Sequence, residues 1–118
     1  MDVIVTEDQR MLQDATRRYL EDRAPIGTLR RLADTATEFS ADAWREGVAQ
    51  GWVGLFTPDA YGGMAESAQG VIDAAILAEE LGRVVYPGPL LSNCVVAFAI
   101  GQSGSQAQQS ALLPGLVG

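Results

Sequence analysis

The sequence predicts an all-α fold: a compact bundle of about six helices with an extended Gly/Pro-rich hinge at 51–66. Apolar residues recur at helical spacing on both sides of that hinge, and capping residues, glycines and prolines stand where helices begin and end. The 118 residues are one domain's worth of chain, and 47% of them are apolar, which is enough for a core.

The first predicted helix begins at Thr6, because Thr6 and Gln9 form a capping box, and it ends near Arg23. Asp14 precedes Arg17 and Arg18 by three and four residues, the favourable order for helix ion pairs. The buried stripe of this helix is predicted to contain Met11, Leu12, Ala15, Tyr19 and Leu20.

Two further helices are predicted before the hinge. A short one covers 28–36, and a longer one covers 41–50 with Ser40 as its N-cap. Gly51 suits the left-handed position just after the end of that helix.

The hinge itself is predicted to be non-helical. Pro58 favours an extended conformation at Thr57, and Gly62-Gly63 permits positive φ and therefore a sharp turn. We expect the aromatic residues Trp52 and Phe56 to join the helices before the hinge to those after it.

The fourth predicted helix runs from Ser67 to about Leu81, with Gly82 in the C′ position. Its solvent side is predicted to carry Gln69, Asp73 and Glu80, with Ile76 close to them. Its buried side is predicted to contain Val71, Ala74, Ala75, Leu77, Ala78 and Leu81.

Two helices are predicted after the Pro-rich connector at 83–89. The first, at 90–100, has almost no polar face, so we expect it to be surrounded by protein. The second opens with a capping box, Ser105 and Gln108, and is predicted to end at Leu113-Pro114.

Composition excludes several classes of function. The net charge is −7 and no lysine is present, which argues against nucleic-acid binding. With one cysteine and no histidine, the chain has no intrachain disulfide, no His/Cys zinc site and no His-based catalysis. It shows no signal peptide and no membrane-spanning run, so we expect a cytoplasmic protein.

No catalytic, cofactor-binding or metal-binding residue is predicted within the chain. Glu79-Glu80 reads as a solvated pair, because neighbours on a helix point about 100° apart. Cys94 has no nearby cation to stabilise a thiolate, so it reads as a small core residue.

The ordered set of motifs resembles the N-terminal helical domain of the acyl-CoA dehydrogenase family. The opening Thr6-Glu-Asp-Gln-Arg-Met-Leu12 is followed by Trp44, eight residues before Trp52. The hinge reads Gly51-Trp-Val-Gly-Leu-Phe-Thr-Pro-Asp-Ala-Tyr-Gly-Gly63, and Glu79-Glu-Leu-Gly82 and Leu112-Leu-Pro-Gly-Leu-Val-Gly118 come after it. One departure is Ala65, where the family often has another glycine.

The resemblance implies a three-domain flavoprotein of which residues 1–118 are the N-terminal domain. A middle β-domain and a C-terminal helical bundle are expected beyond 118, and those domains would bind FAD and supply the catalytic glutamate. The expected reaction is α,β-desaturation of an acyl-CoA thioester. The resemblance also implies a homo- or hetero-tetramer and an electron-transfer flavoprotein as acceptor.

In the family, the start of the helix corresponding to 90–100 helps to line the far end of the acyl pocket. The candidate substrate-binding residues therefore share one face of that helix at i, i+3, i+4 and i+7 spacing: Ser92, Val95, Val96 and Ala99. They are small or medium-sized and would leave room for a bulky acyl group. The competing interpretation is that these four pack against helices of their own domain.

The alternatives concern the complete protein. It is an active dehydrogenase, a non-catalytic partner subunit of a heteromeric one, or a related flavin monooxygenase or nitroalkane oxidase. The connector Tyr86-Pro-Gly-Pro-Leu-Leu91 resembles a bacterial branch that includes members acting on steroid side-chain thioesters.

Overall fold

A computed structural model describes residues 5–34, 40–66 and 69–117. These ranges contain no strand, and the predicted all-α bundle is confirmed. Their α-helices are α1 Glu7–Arg23, α2 Ile26–Ala33, α3 Ala41–Gly47, α4 Val71–Arg83, α5 Leu90–Ser103 and α6 Gln106–Leu116. A π-helical turn, Val48–Trp52, continues α3, and a 3-10 turn, Asp59–Tyr61, lies in the hinge.

The predicted N-caps are confirmed wherever the chain is described. Thr6 Oγ1 accepts from the Gln9 amide at 3.2 Å, and Gln9 Oε1 accepts from the Thr6 amide at 2.9 Å. Ser40 caps α3, and Ser105 forms a capping box at α6. The predicted helix start at Ser67 is wrong, because the described residues Gln69 and Gly70 are not helical and α4 begins at Val71; Ser67 itself lies outside the described residues.

Several predicted helix ends are wrong: α2 is observed at Ile26–Ala33 where 28–36 is predicted, and α5 runs beyond 100 to Ser103. Helix α6 continues through Pro114 to Leu116, although a proline at this position removes the backbone hydrogen bond that its amide would donate to Ser110 O. Helix α4 continues through Gly82, and Val85 takes the left-handed C′ position with φ 56°. The Val85 amide donates to Gly82 O at 3.1 Å and the Tyr86 amide to Leu81 O at 2.9 Å, which is a Schellman pairing.

The core is built around the fully buried Trp52. Its ring lies 5.4 Å from that of Tyr19, 6.0 Å from Trp44 and 5.5 Å from Tyr86 (centroid distances). Its indole N–H donates to the buried hydroxyl of Thr16 at 3.3 Å. Trp52 thus joins α1, α3 and the connector that precedes α5.

The hinge is folded back on itself by backbone hydrogen bonds. The Met64 amide donates to Gly54 O at 2.9 Å, and the Ala65 amide donates to Thr57 O at 3.1 Å. Gly62 has φ 89°, as its predicted role in a turn requires. Gly63 is needed for a different reason, because a Cβ there would collide with the carbonyl oxygen of Thr57.

The contact between α1 and α4 corrects the predicted faces of both helices. On α1, Met11 is 65% exposed and Ala15 is exposed, whereas Gln9 and Thr16 are buried. Leu20 is buried as predicted, and Leu12 and Tyr19 are half-buried. The buried side of α1 therefore includes the polar residues Gln9 and Thr16, which the apolar pattern did not predict to be buried.

On α4, the predicted solvent side is largely the buried side. Asp73, Ile76 and Glu80 are buried together with Leu77 and Leu81. Helix residues predicted to be inside are instead exposed: Val71, Ala75 and Ala78. The physical reason is that donors on α1 compensate both carboxylates, which removes most of the penalty for burying them.

Those donors form two clusters. Gln9 Nε2 donates to Asp73 Oδ1 at 2.9 Å. Arg17 donates to both oxygens of Glu80, from Nη2 at 2.7 Å and from Nε at 3.0 Å. Glu79-Glu80 is therefore not a solvated pair, because the Glu80 side chain is 1% exposed. In the described chain, Arg17 pairs with Glu80 in place of the predicted Asp14.

Candidate functional site

The inner face of α5 fixes which residues of this helix point outward. Leu90, Cys94 and Ala97 are buried in the domain. Asn93 Nδ2 donates to Leu116 O at 2.9 Å, which ties the first turn of α5 to the end of α6. Helix α5 is therefore anchored along one side, and its opposite side is determined by the 3.6-residue period.

Over residues 90–99 that opposite side is exposed and almost entirely apolar; the exposed Gln102 and Ser103 follow at its C-terminal end. We call it the open face, and its residues are Leu91, Ser92, Val95, Val96, Phe98 and Ala99. Val95 is 57% exposed and Val96 is 44% exposed, values usually found for polar residues on surface helices. Within the described chain, protein covers the inner face of α5 and leaves the open face exposed. The prediction that α5 is surrounded by protein is therefore confirmed for the inner face and wrong for the open face.

All four predicted substrate-binding residues lie on the open face. The structure brings Ser92, Val95, Val96 and Ala99 together on one side of a regular helix, as their spacing predicts. None of them is buried against other helices of the domain. The competing interpretation, packing within their own domain, is not what the described part of the chain shows.

The open face is electrically neutral. Helix α5 contains no charged residue, and Ser92 contributes the single hydroxyl of the open face. Cys94 lies on the inner face, where burial raises the pKa of its thiol and keeps it protonated at neutral pH. This side-chain set suits a hydrocarbon ligand and offers nothing to a phosphate or a carboxylate.

The same side chains are a poor match for a flavin. The pyrophosphate of FAD needs cationic or multiple N–H donors, which the open face lacks. The described ranges contain no group of three His, Cys, Asp or Glu side chains that could hold a metal ion. No described helix is long and apolar enough to cross a membrane.

The predicted site omits two residues of the open face, Leu91 and Phe98. Phe98 is a member of the open face at 53% exposure, and its ring contacts that of Phe56 in the hinge. Phe98 follows Leu91 by seven residues, so the two share one edge of α5, and that spacing is a signal the sequence contains. The sequence predicts that Phe56 connects the hinge to later helices, but not that its partner is Phe98, forty-two positions away.

Comparison with known proteins identifies the family. The model of the acyl-CoA dehydrogenase N-terminal domain matches residues 6–118. A curated relative, acyl-CoA dehydrogenase IpdE2 of Mycolicibacterium smegmatis, is 26% identical over 97 residues. That match covers 81% of this chain and 30% of the relative, so the chain corresponds to about a third of that protein's length. No solved structure matches the chain. The predicted membership is confirmed: the chain belongs to the acyl-CoA dehydrogenase family and corresponds to its N-terminal domain.

Proposed function

We propose that residues 1–118 are the N-terminal domain of a FAD-dependent acyl-CoA dehydrogenase and that the open face of α5 forms one wall of its acyl pocket. The observation that carries this proposal is an apolar, uncharged helix face left exposed in a domain of this family. A middle β-domain and a C-terminal helical bundle complete the proposed protein.

The physical argument concerns what an exposed apolar helix face can do. Contiguous apolar surface of this kind marks a site that another molecule covers. An acyl chain gains about 0.8 kcal/mol for each CH₂ group that leaves water. Ser92 and Ala99 are small, and Val96 is medium-sized, which leaves space beside the helix for a bulky acyl group, including one of the steroid side-chain type.

The proposed reaction removes a proton from the α-carbon and a hydride from the β-carbon of the thioester, leaving a trans-enoyl-CoA. FAD, when bound by the other domains, supplies the hydride acceptor. The two buried carboxylates of the described chain, Asp73 and Glu80, are not suited to be the base. Arg17 holds the pKa of Glu80 below its ordinary value, and Asp73 is engaged by Gln9. In the proposed protein the base is a glutamate of the C-terminal bundle, as the resemblance to the family implies.

The remaining parts of the proposal concern the complete protein. It acts in the cytoplasm as a homo- or hetero-tetramer and passes electrons to an electron-transfer flavoprotein. It binds neither nucleic acid nor membrane. The domain contributes the α5 wall and assembly surfaces, and no catalytic group.

The test is anaerobic titration of the purified complete protein with straight-chain and ring-bearing acyl-CoA thioesters. Loss of the oxidised-flavin absorbance together with formation of an enoyl-CoA is the expected result. A flavoprotein that binds acyl-CoA without bleaching would be a non-catalytic partner subunit. Turnover that consumes O₂ and oxygenates a substrate would identify a monooxygenase, and oxidation of nitroalkanes an oxidase. Each of these three outcomes contradicts the dehydrogenase proposal.

The pocket assignment has its own test, Val96→Phe in the complete enzyme. The larger side chain narrows the slot, so kcat/KM for long or bulky thioesters should fall about tenfold or more, and that for short ones should change little. Val71→Phe is the matched control, because Val71 is an exposed valine on α4 and is not a member of the open face. Equal losses on short and bulky substrates would contradict the assignment.

A further inference from the structure

One edge of the open face is formed by large side chains. Phe98 and Leu91 lie seven residues apart and therefore point in nearly the same direction. Leu91 is 77% exposed and Phe98 is 53% exposed. Ser92 and Ala99, by contrast, lie near the middle of the face and Val96 lies at its other edge. The open face is thus asymmetric, with bulk along one side.

Phe98 is supported from the hinge. Its ring meets that of Phe56 edge to face, with centroids 5.9 Å apart and an interplanar angle of 83°. This arrangement is the favourable one for an aromatic pair, and it restricts how the exposed half of the Phe98 ring can move.

Phe56 is itself held by its surroundings. A Cβ on Gly101 would lie 3.7 Å from the carbonyl oxygen of Phe56, so α5 passes close to the hinge backbone. A Cβ on Gly70 would lie 3.4 Å from Phe56 Cε1, so the residue preceding α4 lies against the Phe56 ring. The amide of Thr57, the next residue, donates to Gly54 O at 3.2 Å and fixes the turn that contains Phe56.

We propose that Phe98, held in place by Phe56, is the fixed side wall of the acyl slot and determines how wide an acyl group the enzyme accepts. This inference rests on the proposed function. Phe98 contacts the acyl group, whereas Phe56 is a positioning residue that acts through Phe98. Straight-chain acyl groups pass beside the wall, and acyl groups with a ring or branch must place their bulk toward Val96.

The experiment uses the complete flavoprotein and two acyl-CoA thioesters of equal carbon number, one straight-chain and one ending in a cyclohexyl ring. The measured quantity is the ratio of kcat/KM for the ring-bearing substrate to kcat/KM for the straight one. Phe98→Ala removes the wall and should raise this ratio about tenfold, the scale of discrimination that an apolar pocket provides. Phe98→Leu keeps an apolar side chain at this position and should raise it less, which covers the case in which the alanine variant does not fold.

Phe56→Leu tests the positioning role. Phe98 is intact in this variant but has lost its aromatic support, so the ratio should rise about threefold, mainly through KM for the ring-bearing substrate. Leu112→Ala is the control, because Leu112 is a similarly exposed apolar residue on α6 and not on the open face. It should leave the ratio unchanged.

Two outcomes overturn the inference, and they are distinguishable. If the wild-type protein desaturates both thioesters and neither Phe98 variant changes the ratio by more than twofold, Phe98 is not the wall, whatever happens to thermal stability. If the wild-type protein desaturates neither thioester and acyl-CoA does not perturb its flavin spectrum, the proposed function fails, and the inference fails with it.

Discussion

Helices α4 and α5 distribute their polar and apolar side chains in opposite ways. Helix α4 buries two carboxylates, Asp73 and Glu80, against α1, while its exposed surface includes Val71 at 74% exposure. Helix α5 has no charged residue, buries small or apolar side chains, and exposes Val95 and Phe98.

The difference shows that burial follows the available partners more closely than it follows hydropathy. Glu80 is buried because Arg17, Gln13 and Arg83 all donate to it, so its charge remains compensated. The open face of α5 meets no comparable partner within the described chain. The polar residues of α4 hold the domain together, and the apolar residues of α5 are available to a ligand or to other parts of the protein.

The largest expected effect is that of breaking the inward carboxylate cluster. Glu80→Gln weakens the hydrogen bonds from Arg17, Gln13 and Arg83, and the free energy of unfolding should fall by about 2.5 kcal/mol, the scale for hydrogen bonds to a charged group, because Arg17 is partly exposed and stays solvated when the charge is lost. Urea denaturation measures it. Glu79→Gln is the matched control on the exposed neighbour and should change stability by less than about 0.5 kcal/mol. Equal effects at the two positions would contradict the observed orientation of α4.

The same substitution, alanine to leucine, at two positions of α5 compares its inner face with its open face. Ala97 is 1% exposed, so Ala97→Leu overpacks the core and should cost about 2 kcal/mol of unfolding free energy. Ala99 is exposed, so Ala99→Leu should change stability by less than about 0.5 kcal/mol. The same denaturation experiment distinguishes them, and a larger cost at Ala99 would mean that the open face is not open.

Lowering the pH should remove part of the stabilisation that ionised Glu80 contributes to the folded state. Arg17 lowers the folded-state pKa of Glu80 below its ordinary value of 4.5, first through a side-chain hydrogen bond. Between the two pKa values the unfolded chain binds more protons, so this stabilisation is complete above the ordinary value and is lost as the pH falls through the folded-state value. Stability measured below pH 5 should fall less steeply in Glu80→Gln than in the wild type. Parallel curves would show that Glu80 does not contribute to acid sensitivity.

The smallest effect sharpens the description of where α4 ends. Gly82 has helical backbone and open space around its missing Cβ, so Gly82→Ala should raise the unfolding free energy by about 0.8 kcal/mol. Gly51 also has open space but has φ 90°, so Gly51→Ala should lower it by about 1 kcal/mol. Thermal and urea unfolding of both variants provide the comparison. If Gly82→Ala destabilised the protein, Gly82 would be the left-handed residue at the end of α4, which would contradict the observed end of the helix.

Much of the fold follows from local chemistry and was therefore predictable. The capping pairs at Thr6 and Ser105 need two residues three positions apart, which a sequence displays directly. The left-handed glycine at Gly51 is likewise a local requirement. The end of α4 was mispredicted because the Schellman pairing places Val85 in a conformation that is unfavourable for valine, and no local rule selects it.

The sequence by itself determined the helical class, the side-chain-capped helix starts at Thr6, Ser40 and Ser105, and the family. It also determined the grouping of Ser92, Val95, Val96 and Ala99 on one face of α5, because each of these depends on spacing along the chain. The tertiary structure alone decided which face of each helix turned inward. That choice depends on partners far apart in sequence, such as Arg17 with Glu80 and Phe56 with Phe98. The burial of Glu80 is explained by its partner Arg17. The exposure of Phe98 is explained by the lack of a covering partner for the open face within the described chain.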